Sequence, residues 1–435
     1  MRTIPPNSAE PEDPAALSKR GQAVRKEKLV DSRTRRGIKR GDLPDVELAS
    51  SESARDINRD VVLEIVRAQQ PISRADVARA SGLQPSTISN IVEQLLNEKW
   101  IAEGAAAIRP RGRRPTLLTL NEDLVILVAD IRPGRAILAV VDLNGRLLAH
   151  EQRRITPDPK RSVQVIADAM VAMQARFPAK TFEGVGVSLP GRVDPISNNL
   201  ILSPNLTWTG YNIKAPLERS LGLKVDLDNA ANAALLAELW FGHMDGVRNA
   251  VLITISEGLG AAILANGHIV TGLNGMAGEF GHISLDANGV LCGCGRRGCW
   301  ETLASSNAAL RFYKEQNTGN HVGNIQDLLS LADANDPAAV RAIEIQAHHL
   351  GRGLRLITSA LSPEVILISG AIVDSWERFG PLVLEEMREG VLAGSAPRLL
   401  IVTEGDLARL RGAAVVSLQR NSGYNKSTLP TTRKR

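Results

Sequence analysis

The chain is poor in cysteine, and the little it has is confined to one place. Among 435 residues there are three cysteines, Cys292, Cys294 and Cys299, all inside the segment C-G-C-G-R-R-G-C. The odd count and the lack of a signal-peptide pattern argue against a disulfide framework. Also missing is any uninterrupted apolar run of membrane-spanning length, although 43% of the residues are apolar. These absences predict a cytoplasmic protein of two or three domains with a substantial core and no membrane partner. Excess charge is small as well, with a formal net value of +5. Its distribution is uneven. Residues 1–120 carry 21 Lys and Arg against 16 Asp and Glu, while residues 421–435 hold four basic residues and no acid. The stretch 121–420 has 27 basic and 31 acidic residues. A mildly acidic body with basic ends points to nucleic acid at one end only.

What is present begins with the cysteines themselves. His282 stands ten residues before Cys292. Three thiolates and one imidazole are the donor set of a tetrahedral structural zinc ion, Zn2+, and Gly293, Gly295 and Gly298 let a short loop close round it. The bland alternative is that the cysteines are ordinary loop residues.

Residues 1–53, rich in Pro, Ser, Lys and Arg, lack apolar periodicity and are expected to be disordered, as is the basic tail 421–435. The first is either a solvated tail or a nonspecific phosphate-binding arm. Residues 54–120 read as a winged helix-turn-helix. A helix starts near Ile57 with Val61, Val62, Ile65 and Val66 on one stripe, and Pro71 ends it. Ser73 caps a second helix, with Asp76 closing the capping box, and Gly82 turns the chain. A third helix starts at Pro85 and buries Ile88, Val92, Leu95 and Leu96. Gln84, Ser86, Thr87 and Asn90 lie at its outer side, placed for base edges and phosphates. A two-stranded wing follows, with Arg109, Arg111, Arg113 and Arg114 at its tip, suited to a minor groove or to phosphates. A solvated basic loop is the alternative. From Asn121 strands and helices alternate in two cycles, which predicts an α/β body of two lobes.

Residues 121–420 resemble the sugar-kinase body of the ROK family (repressors, open reading frames and kinases), and the winged helix in front resembles its repressor branch. The most specific marker is G-E-F-G-H followed by C-G-C-G-R-R-G-C-W-E. The resemblance implies a two-lobed, actin-like, ribonuclease-H-type fold with a sugar cleft between the lobes. It also implies that His282, Cys292, Cys294 and Cys299 hold zinc, and that Asn205, Glu279, His282 and Glu301 bind sugar, with Gly191 lining the same cleft. Carboxylates suit that work because each accepts several hydroxyl hydrogen bonds. For Glu279 and Glu301 a salt-bridge or loop-stabilising role is the alternative.

The departures from the family pattern concern catalysis. Where active relatives have a D-x-G-G-T loop, this chain has D-I-R-P-G-R, Asp130 to Arg135, and Pro133 lacks an N–H to offer a phosphate. Where relatives read E-N-D-A-N-A-A, this chain reads D-N-A-A-N-A-A, so Ala230 stands at the general-base position. The expectation is therefore a non-enzymatic transcriptional regulator of carbohydrate genes. It would bind an inverted-repeat operator as a homodimer or homotetramer and sense a small carbohydrate. The alternatives are a sugar kinase with an appended DNA-binding domain, and a DNA-binding protein whose body only dimerises or docks a partner.

Overall fold

In a computed structural model the chain is described over residues 51–106, 116–242, 244, 246–317, 322–389 and 396–422. The basic extension 1–50, the wing tip with Arg109, Arg111, Arg113 and Arg114, and residues 423–435 lie outside the described residues.

The winged domain runs α1 (Ser51–Gln69), β1 (Ile72–Ser73), α2 (Arg74–Ser81), α3 (Pro85–Asn97), β2 (Ile101–Ala106) and β3 (Thr116–Leu120). The first helix starts at Ser51, ahead of Ile57 and inside the segment expected to be disordered. Ser73 caps α2, its hydroxyl accepting from the Asp76 N–H, and Gly82 ends that helix with a left-handed φ of 72°. Pro85 opens α3, which buries Ile88, Ile91, Val92 and Leu95 and leaves Leu96 only half-buried. The wing has three strands rather than two, because β1 pairs antiparallel with β3 on the side away from β2.

The first lobe comprises β4 (Leu124–Arg132), β5 (Arg135–Asp142), β6 (Leu147–Arg154), α4 (Pro159–Ala175), β7 (Thr181–Leu189), a small sheet of β8 (Arg192–Val193), β9 (Leu200–Ser203) and β10 (Trp208–Thr209), then α5 (Lys214–Leu221) and β11 (Val225–Asn229). Helix α6 (Ala230–Phe241) leads into the second lobe: β12 (Ala250–Ile255), β13 (Leu259–Ala265), β14 (His268–Ile269), α7 (Glu301–Ala304), α8 (Ser306–Gln316), α9 (Ile325–Asp333), α10 (Pro337–Leu361), β15 (Val365–Gly370), α11 (Trp376–Arg388) and β16 (Arg398–Val402). Helix α12 (Gly405–Ser422) closes the described chain. It extends two residues into the tail expected to be disordered.

The two sheets repeat one topology. Their strand orders are β11-β7-β4-β5-β6 and β14-β13-β12-β15-β16. In each, the first strand lies at the centre, pairs antiparallel with the second and parallel with the fourth, and the fifth adds in parallel. The central β4 is buried at every position, as a strand covered on both faces requires. This duplicated mixed sheet is the actin-like, ribonuclease-H-type architecture. Each repeat ends in a long helix, α6 after β11 and α12 after β16, and these two helices cross. Gly412 allows it, since a Cβ there would meet the Ala233 carbonyl.

Helix α6 belongs to two cores at once. Ala231, Ala234, Leu235 and Ala237 pack with Leu252, Leu264 and Leu367 of the second lobe. Ala233, Leu236 and Trp240 pack in a cluster that also contains Val62, Val66 and Trp100 of the winged domain and Leu410 of α12. The winged domain therefore shares a hydrophobic core with the body.

An ion-pair network joins the end of β4 to the start of α12. The fully buried Asp130 accepts from Arg132 Nε at 2.6 Å and from the Ser188 hydroxyl at 3.1 Å. Arg132 Nη2 lies 2.6 Å from Asp406, and Arg409 reaches both aspartates at 3.4 and 3.6 Å. Burial alone would favour a neutral Asp406, but the Arg132 hydrogen bond and the charges of Arg132, Arg409 and Arg135 hold its carboxyl below the usual aspartate range. A depressed folded-state pKa gives stability that is present above the unfolded value of 3.8 and is lost as the pH falls below it. Asp406→Asn should therefore flatten the acid limb of a thermal-unfolding profile below about pH 4. At pH 7 it should cost about 1 kcal/mol or less, because the Asp406 side chain is 67% exposed. Identical acid limbs in the two proteins would refute this account.

Candidate functional site

The residues expected to bind sugar come from four short segments, each fixed by its own local chemistry. After β7 the chain turns through Pro190 and Gly191. Gly191 has φ +115°, and a Cβ there would strike the Leu202 carbonyl, so only glycine fits. Its own carbonyl accepts from Asn229 Nδ2 at 2.7 Å. The same Asn229 caps α6 by accepting from the Ala231 N–H at 2.8 Å.

Asn205 is the exposed residue of a 3-10 turn, Pro204–Leu206, whose Leu206 is buried in the first-lobe core. Glu301 opens α7, and its Oε2 accepts from the Leu259 N–H at 3.1 Å. These two meet at Gly258, whose absent Cβ would contact both the Glu301 carboxylate and the Asn205 amide. Sequence reasoning passed over Gly258 because its role is visible only as a close approach of three segments.

A 3-10 turn, Glu279–His282, supplies the third group. His282 Nε2 lies 3.6 Å from Glu279 Oε2, while Nδ1 faces the other way, 3.6 Å from Cys292 Sγ. Burial raises the Glu279 carboxyl above its ordinary value; His282 and Arg192 pull it back in part, and Glu301 adds to the rise. Arg192 is a second residue that sequence reasoning missed. It lies on β8 directly after Gly191, with its Nε buried and making no hydrogen bond among the described residues. Its neighbour Val193 points into the first-lobe core. An arginine one step after S-L-P-G, out of phase with a buried valine, was the available signal.

The structure draws His282, Cys292, Cys294 and Cys299 together, with their donor atoms all within 4.8 Å of one another. Cys294 and Cys299 are 3.5 Å apart at sulfur. Donors held at zinc-like distances on a tetrahedron stand about 3.5–3.8 Å apart, so the cluster has the dimensions of a metal site. Its acid–base chemistry fits too. Burial and hydrogen bonds in which its S–H donates to Cys294 and Cys292 push the Cys299 thiol up to about 12, and burial raises Cys292 as well. Cys294 is held down despite burial by the Arg296 backbone N–H and the two neighbouring thiols. Three thiolates this close need a cation to coexist. Gly298 makes the fold of the loop possible, with φ +59° and no room for a Cβ against the Asp286 carbonyl.

The D-I-R-P-G-R stretch, Asp130 to Arg135, holds Arg132 between Asp130 and Asp406. Beyond it lies a cavity of about 290 Å³ lined by Arg132, Arg135, Ser256, Ser306, Asn324 and Asp406, among others. Ala230, which the family resemblance sets at the general-base position, is buried and begins α6. The neighbouring Asp228 is bound by the Asn229 N–H at 2.7 Å and the Asn232 amide at 2.8 Å. On the winged domain, Gln84, Ser86 and Asn90 are exposed and Thr87 is half-buried.

Comparison with known proteins agrees with this geometry. The chain is 29% identical over 350 residues to the xylose repressor of Bacillus subtilis, a match spanning 80% of this chain and 89% of the repressor. Its structure resembles a ROK family transcriptional regulator, a homologue of the E. coli Mlc protein, with a TM-score of 0.74 at 27% identity over 86% of this chain and 98% of the other. It also resembles a ROK family glucokinase from Streptomyces griseus, solved with glucose and AMPPNP, with a TM-score of 0.59 at 30% identity over 68% and 99% of the two chains. The sequence model described as ROK family matches residues 131–420. The chain belongs to the ROK family.

Proposed function

We propose that this protein is a sugar-responsive, DNA-binding transcriptional regulator whose kinase-like body binds a carbohydrate without phosphorylating it. The observation that carries the reading is Arg132. It stands, paired with Asp130 and Asp406, in the stretch where an active kinase needs bare backbone N–H groups for phosphate. With Ala230 at the base position there is no carboxylate there to accept the sugar proton. The likeness to the xylose repressor and to the Mlc-like regulator supports the same reading over that of a kinase.

In this reading residues 54–120 bind DNA, with α3 in the major groove and Gln84, Ser86, Thr87 and Asn90 toward bases or phosphates. Arg111, Arg113 and Arg114 of the wing would contact phosphates or the minor groove. A homodimer or homotetramer would present two such helices to an inverted-repeat operator. Residues 121–420 would hold the effector through Asn205, Glu279, His282 and Glu301, with Arg192 beside them. One zinc ion would be held by His282 Nδ1 and the sulfurs of Cys292, Cys294 and Cys299, leaving His282 Nε2 for the sugar. The ion's contribution is structural: it lets three thiolates share one loop. No helix among the described residues is long and apolar enough to cross a membrane, in keeping with operator binding in the cytoplasm.

Thermal unfolding of the full-length protein with a panel of pentoses, hexoses, amino sugars and their phosphates tests the cleft. A true effector at a hundred times its dissociation constant should add about 2.7 kcal/mol. Metal analysis should give one zinc per chain, and Cys294→Ser should lose both the zinc and the sugar-dependent shift. No shift with any member of the panel, or a full shift in Cys294→Ser, would sink the assignment.

For the DNA side, alanine at Arg111, Arg113 and Arg114 together should weaken binding to DNA from upstream of the protein's own gene. It should also lower the slope of log K against log salt by about 2–3. Unchanged affinity and slope would remove the wing from the interface.

A further inference from the structure

We propose that α6 carries the state of the lobe cleft to the recognition helix α3, and that Arg67 is the positioning residue that clamps α6 to the winged domain. This deepens the reading above and rests on it, since it takes the cleft as the effector site and α3 as the DNA reader.

The path starts at the cleft. Asn229 ties the first turn of α6 to the carbonyl of Gly191, and Asn232 ties it to Asp228. Over its length, about 18 Å for twelve residues, α6 has no solvent-facing stripe along which to slide. Ala231, Ala234 and Leu235 are held by the second lobe, and Ala233, Leu236 and Trp240 by the core shared with the winged domain. A change in the angle between the lobes must therefore displace α6 from one packing or the other. Close-packed interiors move between discrete arrangements and do not deform continuously.

At the far end the connection to the winged domain is polar and directional. Arg67 of α1 donates through Nη1 to the backbone carbonyl of Trp240, and its guanidinium lies 6.0 Å from the centroid of the Trp240 ring. Glu64, one turn earlier on α1, holds the same guanidinium from Nε at 2.7 Å. Arg67 is thus oriented by its own helix and points at the last turn of α6. Gln70 braces the joint, donating to Asn144 at 2.8 Å and accepting from the Leu120 N–H of the wing at 2.8 Å.

From α1 the path reaches α3 through Arg59. Its Nε donates to Glu98, the residue capping α3, at 3.0 Å, and its guanidinium lies over the Trp100 ring at 5.6 Å. Arg59 is 6% exposed, so the arginine end of this pair is shielded while the Glu98 side chain, 35% exposed, still meets solvent. A shift at Trp240 is then felt at the C-terminal end of α3 through two arginine joints and the rigid body of α1.

The test is amide hydrogen exchange on the full-length protein without any ligand, across four proteins: wild type, Asn229→Asp, Arg67→Gln and the double variant. Asn229→Asp keeps the oxygen that caps α6 and removes the donor to Gly191, so it perturbs the cleft end alone. It should change exchange in the last turn of α1 and in α3 by about threefold or more. In the Arg67→Gln background its effect on the first turn of α6 should persist while its effect on α3 disappears. Arg67→Lys, which keeps a donor for the Trp240 carbonyl, should restore most of the response in α3 and shows that the glutamine result is not general unfolding. An α3 response equally large without Arg67, or one confined to the first turns of α6 in every protein, overturns the proposal. No sugar or DNA is present, so a failure here leaves the effector reading standing, and a failed sugar panel leaves this result intact.

Discussion

The crossing of α6 and α12 is the constraint on which the rest of the molecule depends. Both helices are buried on nearly every side, because each closes one sheet repeat and the two must occupy the same interlobe space. Only small residues permit that: Gly412 lies against the Ala233 carbonyl, and the first turns of α6 are alanines. Large side chains at the crossing would separate the helices and with them the lobes, since crossing distance follows side-chain size. Once the crossing is fixed, its exposed end at Leu236, Trp240 and Leu410 is an apolar surface that must be covered. The winged domain covers it with Val62 and Val66. The winged domain placed there becomes part of the body's core, with its orientation set by packing.

The same crossing sets where the ion-pair network forms. The start of α12 brings Asp406 and Arg409 to the end of β4, where Asp130 and Arg132 wait. Burying one of these charges alone would be costly, and breaking a buried pair by removing one partner is costly too. Two aspartates and two arginines offset one another's charge, so the network ties the end of the strand to the start of the helix.

Much of this was legible in the sequence, and the limits are physical. Helix α3 opens at the expected Pro85, because a proline at the first turn and a regular apolar stripe mark it. The Ser73 cap and the Gly82 turn were readable for the same reason. Helix α12 was not, since L-A-R-L-R-G-A-A-V-V-S-L has apolar residues on all its faces and no polar stripe to set a period. Strand β1, two residues long, is defined by its partner β3 and not by its own composition. At the site, the Cys–His set could be recognised because metal ligands must be of particular types. Gly258, Arg192 and the Arg132–Asp406 pair depend on segments distant in sequence, and a single chain read in order does not show them meeting.

The placement of the sulfur cluster also gives the cleft its order. Glu279 lies three residues before the first donor, His282, and Glu301 two residues after the last, Cys299. Whatever closes the loop between His282 and Cys299 thereby fixes the separation of the two flanking carboxylates. Without closure, that separation would vary with the conformational freedom of a glycine-rich loop. Closure by an ion removes that freedom in the folded state in the way any cross-link does. The cluster is in contact with one of those carboxylates as well, with Cys292 Sγ 3.8 Å from Glu301. In the proposed reading, an ion that takes no part in any reaction still decides whether two carboxylates and an imidazole present themselves to a sugar as one rigid surface. In that reading a carbohydrate-sensing regulator needs the loop that orders these carboxylates, and the four donors able to close it stand together in this chain.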